Sequence, residues 1–154
     1  MILSRDEAKN LLTFIDLVNC KEEDRYEILL DVYSEDDGFE KINNHNDPIY
    51  NKDIFGYLKM GYLGVTNTYL SKVLLEKLSV AIEIKGSIEH LFPCPCCGYK
   101  TIEERGQYYI CKVCKWEDDG SDSADSYSSV NRMTLKDGRR KFEESKYQSD
   151  KYDR

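Results

Sequence analysis

The chain has 154 residues, 40% of them apolar and 33% charged, with a net charge of −7. That balance fits one folded domain, or a small domain with a stapled module, and excludes a disordered chain. No apolar run reaches the roughly 18–20 residues of a membrane span, and the start MILSRDEAKN places acids where a signal peptide has a basic region, so a soluble cytoplasmic protein is expected.

Charge is distributed unevenly. Residues 1–90 carry 10 basic and 17 acidic side chains, whereas residues 91–154 carry 12 of each. Within the first part, residues 22–40 hold nine acids against Arg25 alone. Such a run repels a phosphate backbone and suits a basic partner.

In chain order, Ser4-Arg5-Asp6-Glu7 reads as a capping box, and Ala8, Leu11, Leu12, Ile15 and Val18 recur at helical spacing, predicting an amphipathic helix over 5–18. A second helix is expected from about Asp24, with Tyr26, Leu29, Leu30 and Tyr33 on its buried side, ending before the acidic turn Ser34-Glu35-Asp36-Asp37-Gly38. Asn43, Asn44, Asn46, Asp47 and Pro48 mark an irregular connection, with a short helix around Ile54, Phe55, Tyr57, Leu58 and Met60. Thr66 or Asn67 then caps a helix whose stripe is Tyr69, Leu70, Val73, Leu74 and Leu78. Val80, Ile82 and Ile84 alternate with polar or small residues, predicting a half-buried strand over 80–85.

Five of the six cysteines lie between Cys94 and Cys114. Cys94 and Cys97 form one Cys-x-x-Cys pair, Cys111 and Cys114 another, with 13 residues between the pairs. Zinc takes four tetrahedral soft ligands, and a Cys-x-x-Cys turn presents two thiolates from one knuckle. In a reducing compartment this spacing favours metal over disulfides. Residues 99–102 and 108–110 are β-prone around a turn containing Gly106, so a hairpin between the knuckles is expected. Gly98 lets backbone amides approach the Cys97 sulfur.

The expected ligands are therefore Cys94, Cys97, Cys111 and Cys114, around one structural Zn2+ per chain. Cys96 is the spare, packed or reactive; a Cys94/Cys96 chelate would leave Cys97 without a role. Lys115 stands where many second knuckles have glycine. A thioredoxin-type redox centre is the rival reading, but a duplicated motif opening a hairpin argues against it. His90 and Cys20 read as structural, and residues 117–122 as an acidic turn with solvated carboxylates that lacks the EF-hand pattern. Arg139, Arg140 and Lys141 read as a solvated helix end. A closed four-cysteine site leaves no open coordination position, so it holds structure and does not catalyse.

The pieces Pro93-Cys94-Pro95-Cys96-Cys97-Gly98-Tyr99, Tyr109-Ile110-Cys111-x-Val113-Cys114 and Trp116-Glu117-Asp118-Asp119-Gly120 follow one another in order. Asn131-x-Met133-Thr134-Leu135 and the closing Arg139–Phe142 Arg-x-x-Phe come after them. Together they resemble the bacterial CPCC family of cysteine-rich proteins. Tyr62-Leu63-Gly64-Val65-Thr66-Asn67-x-Tyr69-Leu70 is similar to a weaker element found before such domains. The resemblance implies a zinc-ribbon-type module and, at the level of class, small cytoplasmic accessory proteins. Some of these look like immunity proteins of polymorphic or contact-dependent toxin systems. Thr134-Leu135-Lys136-Asp137 reads as a second capping box opening a final helix, with Leu135 and Phe142 on one face and Trp116 as a core partner.

These readings predict an α+β fold. An acidic, mainly helical region with one strand covers 1–90, packed on a zinc-ribbon-type β-hairpin module with a closing helix over 91–145. A polar tail, 146–154, is expected to fray. No histidine–carboxylate–nucleophile set, phosphate loop or open metal site is visible, so no enzyme is expected. The expected function is neutralisation of a basic toxin domain through Glu22, Glu23, Asp24, Glu27, Asp31, Glu35, Asp36, Asp37 and Glu40. A zinc-ribbon adaptor of a nucleic-acid or transcription complex is the alternative, although the neutral charge around the ribbon disfavours direct nucleic-acid contact.

Overall fold

The computed structural model describes residues 1–34, 42 and 44–154. It forms two compact units, one of Met1–Leu63 with Leu70–Gly86 and one of Gly64–Tyr69 with Ser87–Arg154. The architecture is α+β, with five α-helices and three two-stranded pairings among the described residues. No described helix is long and apolar enough to cross a membrane.

The first unit opens with β1 (Ile2–Ser4) and α1 (Arg5–Val18). Ser4 caps α1 as expected: the Glu7 N–H donates to its hydroxyl (3.3 Å), and its own N–H donates to the Glu7 carboxylate (2.8 Å). Ala8 and Leu12 are fully buried, but Val18, at 67% exposed, falls outside the core stripe. β1 pairs in parallel with β2 (Glu83–Lys85), placing Leu3 opposite Ile84. The strand predicted over 80–85 is thus realised only at its end, with Ile82 and Ile84 buried and Val80 exposed.

Helix α2 (Glu22–Val32) packs with α3 (Asn51–Met60) around Ile28, Leu29 and Ile54, with Leu17, Cys20, Tyr33 and Leu58 at the edge. Its buried face differs from expectation: Arg25 is inside and Tyr26 is exposed. The cause is hydrogen bonding to residues far along the chain. Arg25 Nε donates to the His45 carbonyl (3.1 Å) and Nη2 to Asn51 Oδ1 (2.9 Å), so the guanidinium is satisfied without water. Helix α4 (Asn67–Leu78) starts from Thr66, whose hydroxyl accepts from the Tyr69 N–H (3.1 Å), and it buries Leu70 and Leu74.

The second unit contains β3 (Phe92–Pro93), β4 (Lys100–Ile102), β5 (Tyr127–Ser128), β6 (Met133–Thr134) and α5 (Leu135–Glu144). The hairpin expected between the knuckles is corrected here. β4 pairs antiparallel with β3, and residues 108–111 pair with residues 116–118. The Tyr108 N–H donates to the Asp118 carbonyl (2.9 Å), the Asp118 N–H to the Tyr109 carbonyl (3.0 Å), and Ile110 bridges Glu117. Each knuckle therefore sits in its own small hairpin.

Asp118 explains the rerouting. Its carboxylate is fully buried and accepts from Arg105 Nε (2.7 Å) and the Gly106 N–H (2.9 Å), drawing the turn at 103–107 onto the second hairpin. The expectation that the acids of 117–122 are all solvated therefore fails at this position. Asn131 ties β5–β6 to the same hairpin. Its Oδ1 accepts from the Glu117 N–H (2.9 Å) and its Nδ2 donates to the Glu117 carbonyl (2.8 Å).

Helix α5 starts from Thr134, whose hydroxyl accepts from the Asp137 N–H (3.2 Å) and donates to the Asp137 carboxylate (2.7 Å). It buries Leu135 and lies close on Trp116, where a Cβ at Gly138 would fall 2.7 Å from the indole. Phe142 meets Tyr99 edge-on, with ring centroids 6.3 Å apart.

The tail is the second correction: it is held, not frayed. The Thr66 N–H donates to the Lys151 carbonyl (2.9 Å) and the Lys100 N–H to the Asp153 carbonyl (2.8 Å), while the buried Tyr152 bridges Val65. The polar composition conceals one inward-facing aromatic between two outward neighbours. The upstream segment Gly64–Tyr69 belongs to this unit for the same reason.

Replacing Tyr152 with alanine should lower this unit's stability by about 3 kcal/mol, the usual cost of removing a buried aromatic. Trp116, the only tryptophan, reports this unit, so its emission should show an earlier thermal midpoint. An unchanged midpoint would mean the tail contributes nothing.

Candidate metal centre

The two Cys-x-x-Cys turns have the same backbone construction. In the first, the Gly98 N–H donates to the Cys94 carbonyl (2.9 Å) and the Cys94 N–H to the Tyr99 carbonyl (2.8 Å). In the second, the Lys115 N–H donates to the Cys111 carbonyl (2.9 Å) and the Cys111 N–H to the Trp116 carbonyl (2.8 Å). Both turns end on a left-handed residue, Gly98 at φ 80° and Lys115 at φ 64°. This reversal lets both sulfurs of a pair face one point while the chain leaves along its hairpin.

The four sulfurs converge. Cys94 and Cys114 are 3.6 Å apart, as are Cys97 and Cys111, and all four ligand atoms lie within 4.8 Å of one another. A tetrahedral thiolate site with metal–sulfur bonds of about 2.3 Å has sulfur–sulfur edges of about 3.8 Å. A disulfide would need about 2.05 Å, and all six cysteines are free. The quartet could therefore hold a metal ion. It is the one such group of cysteine, histidine and acidic side chains among the described residues.

The surroundings suit thiolates. Thr101, itself buried, donates its hydroxyl to the Cys111 sulfur (3.0 Å), and the Cys114 N–H approaches the same sulfur (3.5 Å). Hydrogen bonds from Cys114, Cys94 and Cys97 push the Cys111 thiol far below its usual range. The other three are pushed up, chiefly by their hydrogen bonds with Cys111. Negative charge gathered on four converging sulfurs calls for a cation.

Cys96 stands outside the quartet and is half-buried, its sulfur 3.4 Å from where a Cβ at Gly138 would lie. A hydrogen bond with Cys114 favours its thiolate, and the nearby Arg139, whose Nε donates to the Pro95 carbonyl (2.9 Å), adds to this. His90 lies against Phe92, with centroids 5.3 Å apart, and takes no part in the cluster. Cys20 sits at the edge of the first unit's core, where burial pushes its thiol up.

The acidic set divides. Glu22, Glu23, Asp24, Glu27 and Asp31 lie on α2 and are all exposed, whereas Glu35, Asp36, Asp37 and Glu40 fall outside the described residues. Glu22 faces His45 Nε2 (3.0 Å), and Asp31 accepts from the Tyr57 hydroxyl (2.7 Å).

Thr101, Asp118 and Asn131 support the centre and were not singled out from sequence. The only available signal was that Asp118 and Asn131 stand within the ordered motif pieces.

These features define a cysteine-rich module in which paired knuckles gather four sulfurs. Residues 92–147 match the family described as Cysteine-rich CPCC. The match covers somewhat more than a third of the chain. No curated protein matches it.

A Cβ at Gly98 meets nothing within 4 Å, so Gly98→Ala should cost only the left-handed strain, about 1–2 kcal/mol. At Lys115 the same strain is already present, and Lys115→Gly should stabilise the unit by a fraction of that. Thermal unfolding read at Trp116 checks both signs, and shifts of the same sign at the two positions would contradict the equivalence of the knuckles.

Proposed function

We propose that Cys94, Cys97, Cys111 and Cys114 bind one structural zinc ion per chain, and that the chain is a non-catalytic protein-binding protein of the cytoplasm. An all-sulfur, tetrahedrally spaced donor set favours zinc over hard cations. Four protein ligands leave no position for substrate or water, so the ion's role would be to hold the second unit together.

Purified protein should contain one zinc per chain. Native alkylation should then be confined to Cys96 and Cys20, with all six cysteines reacting after chelation. Loss of the folded Trp116 emission should accompany metal removal. Absence of retained zinc, with all six thiols reactive from the start, would overturn the assignment.

The reading extends to a partner: an immunity protein that neutralises a bacterial toxin through an acidic surface. The observation carrying it is the construction of α2. Its one cation, Arg25, is turned inward and satisfied by His45 and Asn51, while five carboxylates stand exposed. Every charge on the outward face of the helix is therefore negative. Three of its acids occupy the first turn, where the helix dipole also favours them. Toxins that act on nucleic acids have basic clefts, and an acidic face meets such a cleft with fast, steered association. The resemblance to proteins that include immunity proteins points the same way.

Reversing Glu23, Asp24 and Glu27 to lysine should slow association with the neighbouring gene's toxin domain by about 10- to 100-fold at low salt and weaken protection on co-expression. Undiminished protection would sink the electrostatic reading. Salt-sensitive retention of the unmodified protein on DNA or RNA would favour the adaptor alternative instead.

A further inference from the structure

We propose that Cys96 is an oxidant-sensing thiol, and that hydrogen peroxide joins it to Cys114 in a disulfide that removes one sulfur from the metal quartet. The reaction takes place in the groove of about 540 Å³ between the second knuckle and α5, which both cysteines line. Release of the metal presupposes the zinc reading above, whereas the disulfide needs only the clustered thiols.

Three observations single out this pair. Access comes first. Cys94, Cys97 and Cys111 are buried, whereas Cys96 and Cys114 are partly exposed, so a small solute in the groove meets these two. The Cys96 sulfur lies against α5 at Gly138, where a Cβ would come to 3.4 Å, and the lack of a side chain there keeps the sulfur open. The second is contact. The Cys96 and Cys114 thiols share a hydrogen bond, so the attacking and the resolving sulfur are already neighbours. The third is coordination. A metal-bound thiolate has an electron pair engaged by the ion, and the Cys111 sulfur also accepts from the Thr101 hydroxyl (3.0 Å). Cys96 stands outside the quartet, so its electron pair is free to attack first.

The chemistry is a two-electron exchange. The Cys96 sulfur attacks one peroxide oxygen, the O–O bond breaks, and the departing hydroxide takes the thiol proton to become water, leaving a sulfenic acid. Arg139, fixed near this cysteine by its Nε hydrogen bond to the Pro95 carbonyl (2.9 Å), supplies positive charge as hydroxide departs. The Cys114 sulfur then attacks the Cys96 sulfur; the S–S bond forms, the S–O bond breaks and a second hydroxide leaves. The two sulfurs together lose two electrons and the peroxide gains them. A metal left with three thiolates is held less tightly, and the second knuckle is loosened two residues before Trp116. Disulfides in a reducing compartment are transient and suit redox sensing, so a thiol reductant with added zinc would restore the quartet.

The test treats the full purified chain, once its zinc content is measured, with hydrogen peroxide in the presence of a zinc-chelating dye. Zinc should leave as the first disulfide forms, and a digest mapped by fragmentation without reduction should place that bond between Cys96 and Cys114. Cys96→Ser should retain its zinc and lose both the disulfide and the rapid phase of zinc release, whereas Cys20→Ser should behave as the unmodified chain. The map is made on the unmodified chain, so it decides the proposal even if a variant fails to fold. Full zinc retention under peroxide, a first disulfide that omits Cys96, or release from Cys96→Ser at the unmodified rate would each overturn the proposal. A preparation without zinc would count against the metal reading, and the disulfide map would still decide the oxidation step.

Discussion

Four sulfurs brought to one point set the terms for the whole second unit. A Cys-x-x-Cys turn can aim both sulfurs inward only if the chain reverses hand directly after it, which is why Gly98 and Lys115 share a left-handed backbone. Each turn then needs a short hairpin to hold its ends, and the two hairpins leave a loop between them that would otherwise be loose. Buried Asp118 ties that loop down through Arg105 and Gly106. Trp116, one residue past the left-handed turn, becomes the platform for α5 at Gly138. The tail and the segment before the domain then close over Tyr99 and Lys100. Residues well outside the matched family segment thus belong to the same folded unit.

A different constraint shapes the first unit. A small helical core has room for a charged residue only when its hydrogen bonds are met inside, and Arg25 meets them with the His45 carbonyl and Asn51. Placing the cation inward has an external consequence, since the charged side chains that α2 shows to solvent are then all carboxylates. Packing and surface electrostatics are set by the same side chain.

Much of the fold could be read from local pattern. The Ser4–Glu7 cap, the extent of α1, the short helix at α3, the Thr66 start of α4 and the Thr134 start of α5 all depend on residues three or four apart. The sulfur quartet was legible for a similar reason, because two thiols two residues apart must share a turn. Strand partners were another matter. Residues 99–102 and 108–110 each had the right composition for a strand, but composition does not say which neighbour a strand takes. The buried state of Asp118 decided that, and an aspartate in an acidic run reads as solvated. Tyr26 and the tail misled for related reasons: Arg25 displaced the tyrosine, and two tyrosines five apart in a polar tail carry no periodicity.

By itself, then, the sequence determined the helix starts, the two knuckles and the imbalance of charge between its halves. Each follows from short-range geometry or from counting, and neither needs a partner elsewhere in the chain. Tertiary structure alone decided the pairing of the hairpins, the burial of Arg25 and Asp118 and the anchoring of the tail. Those features depend on which distant groups satisfy a buried donor, acceptor or charge, and the identity of that partner is written nowhere in the local sequence.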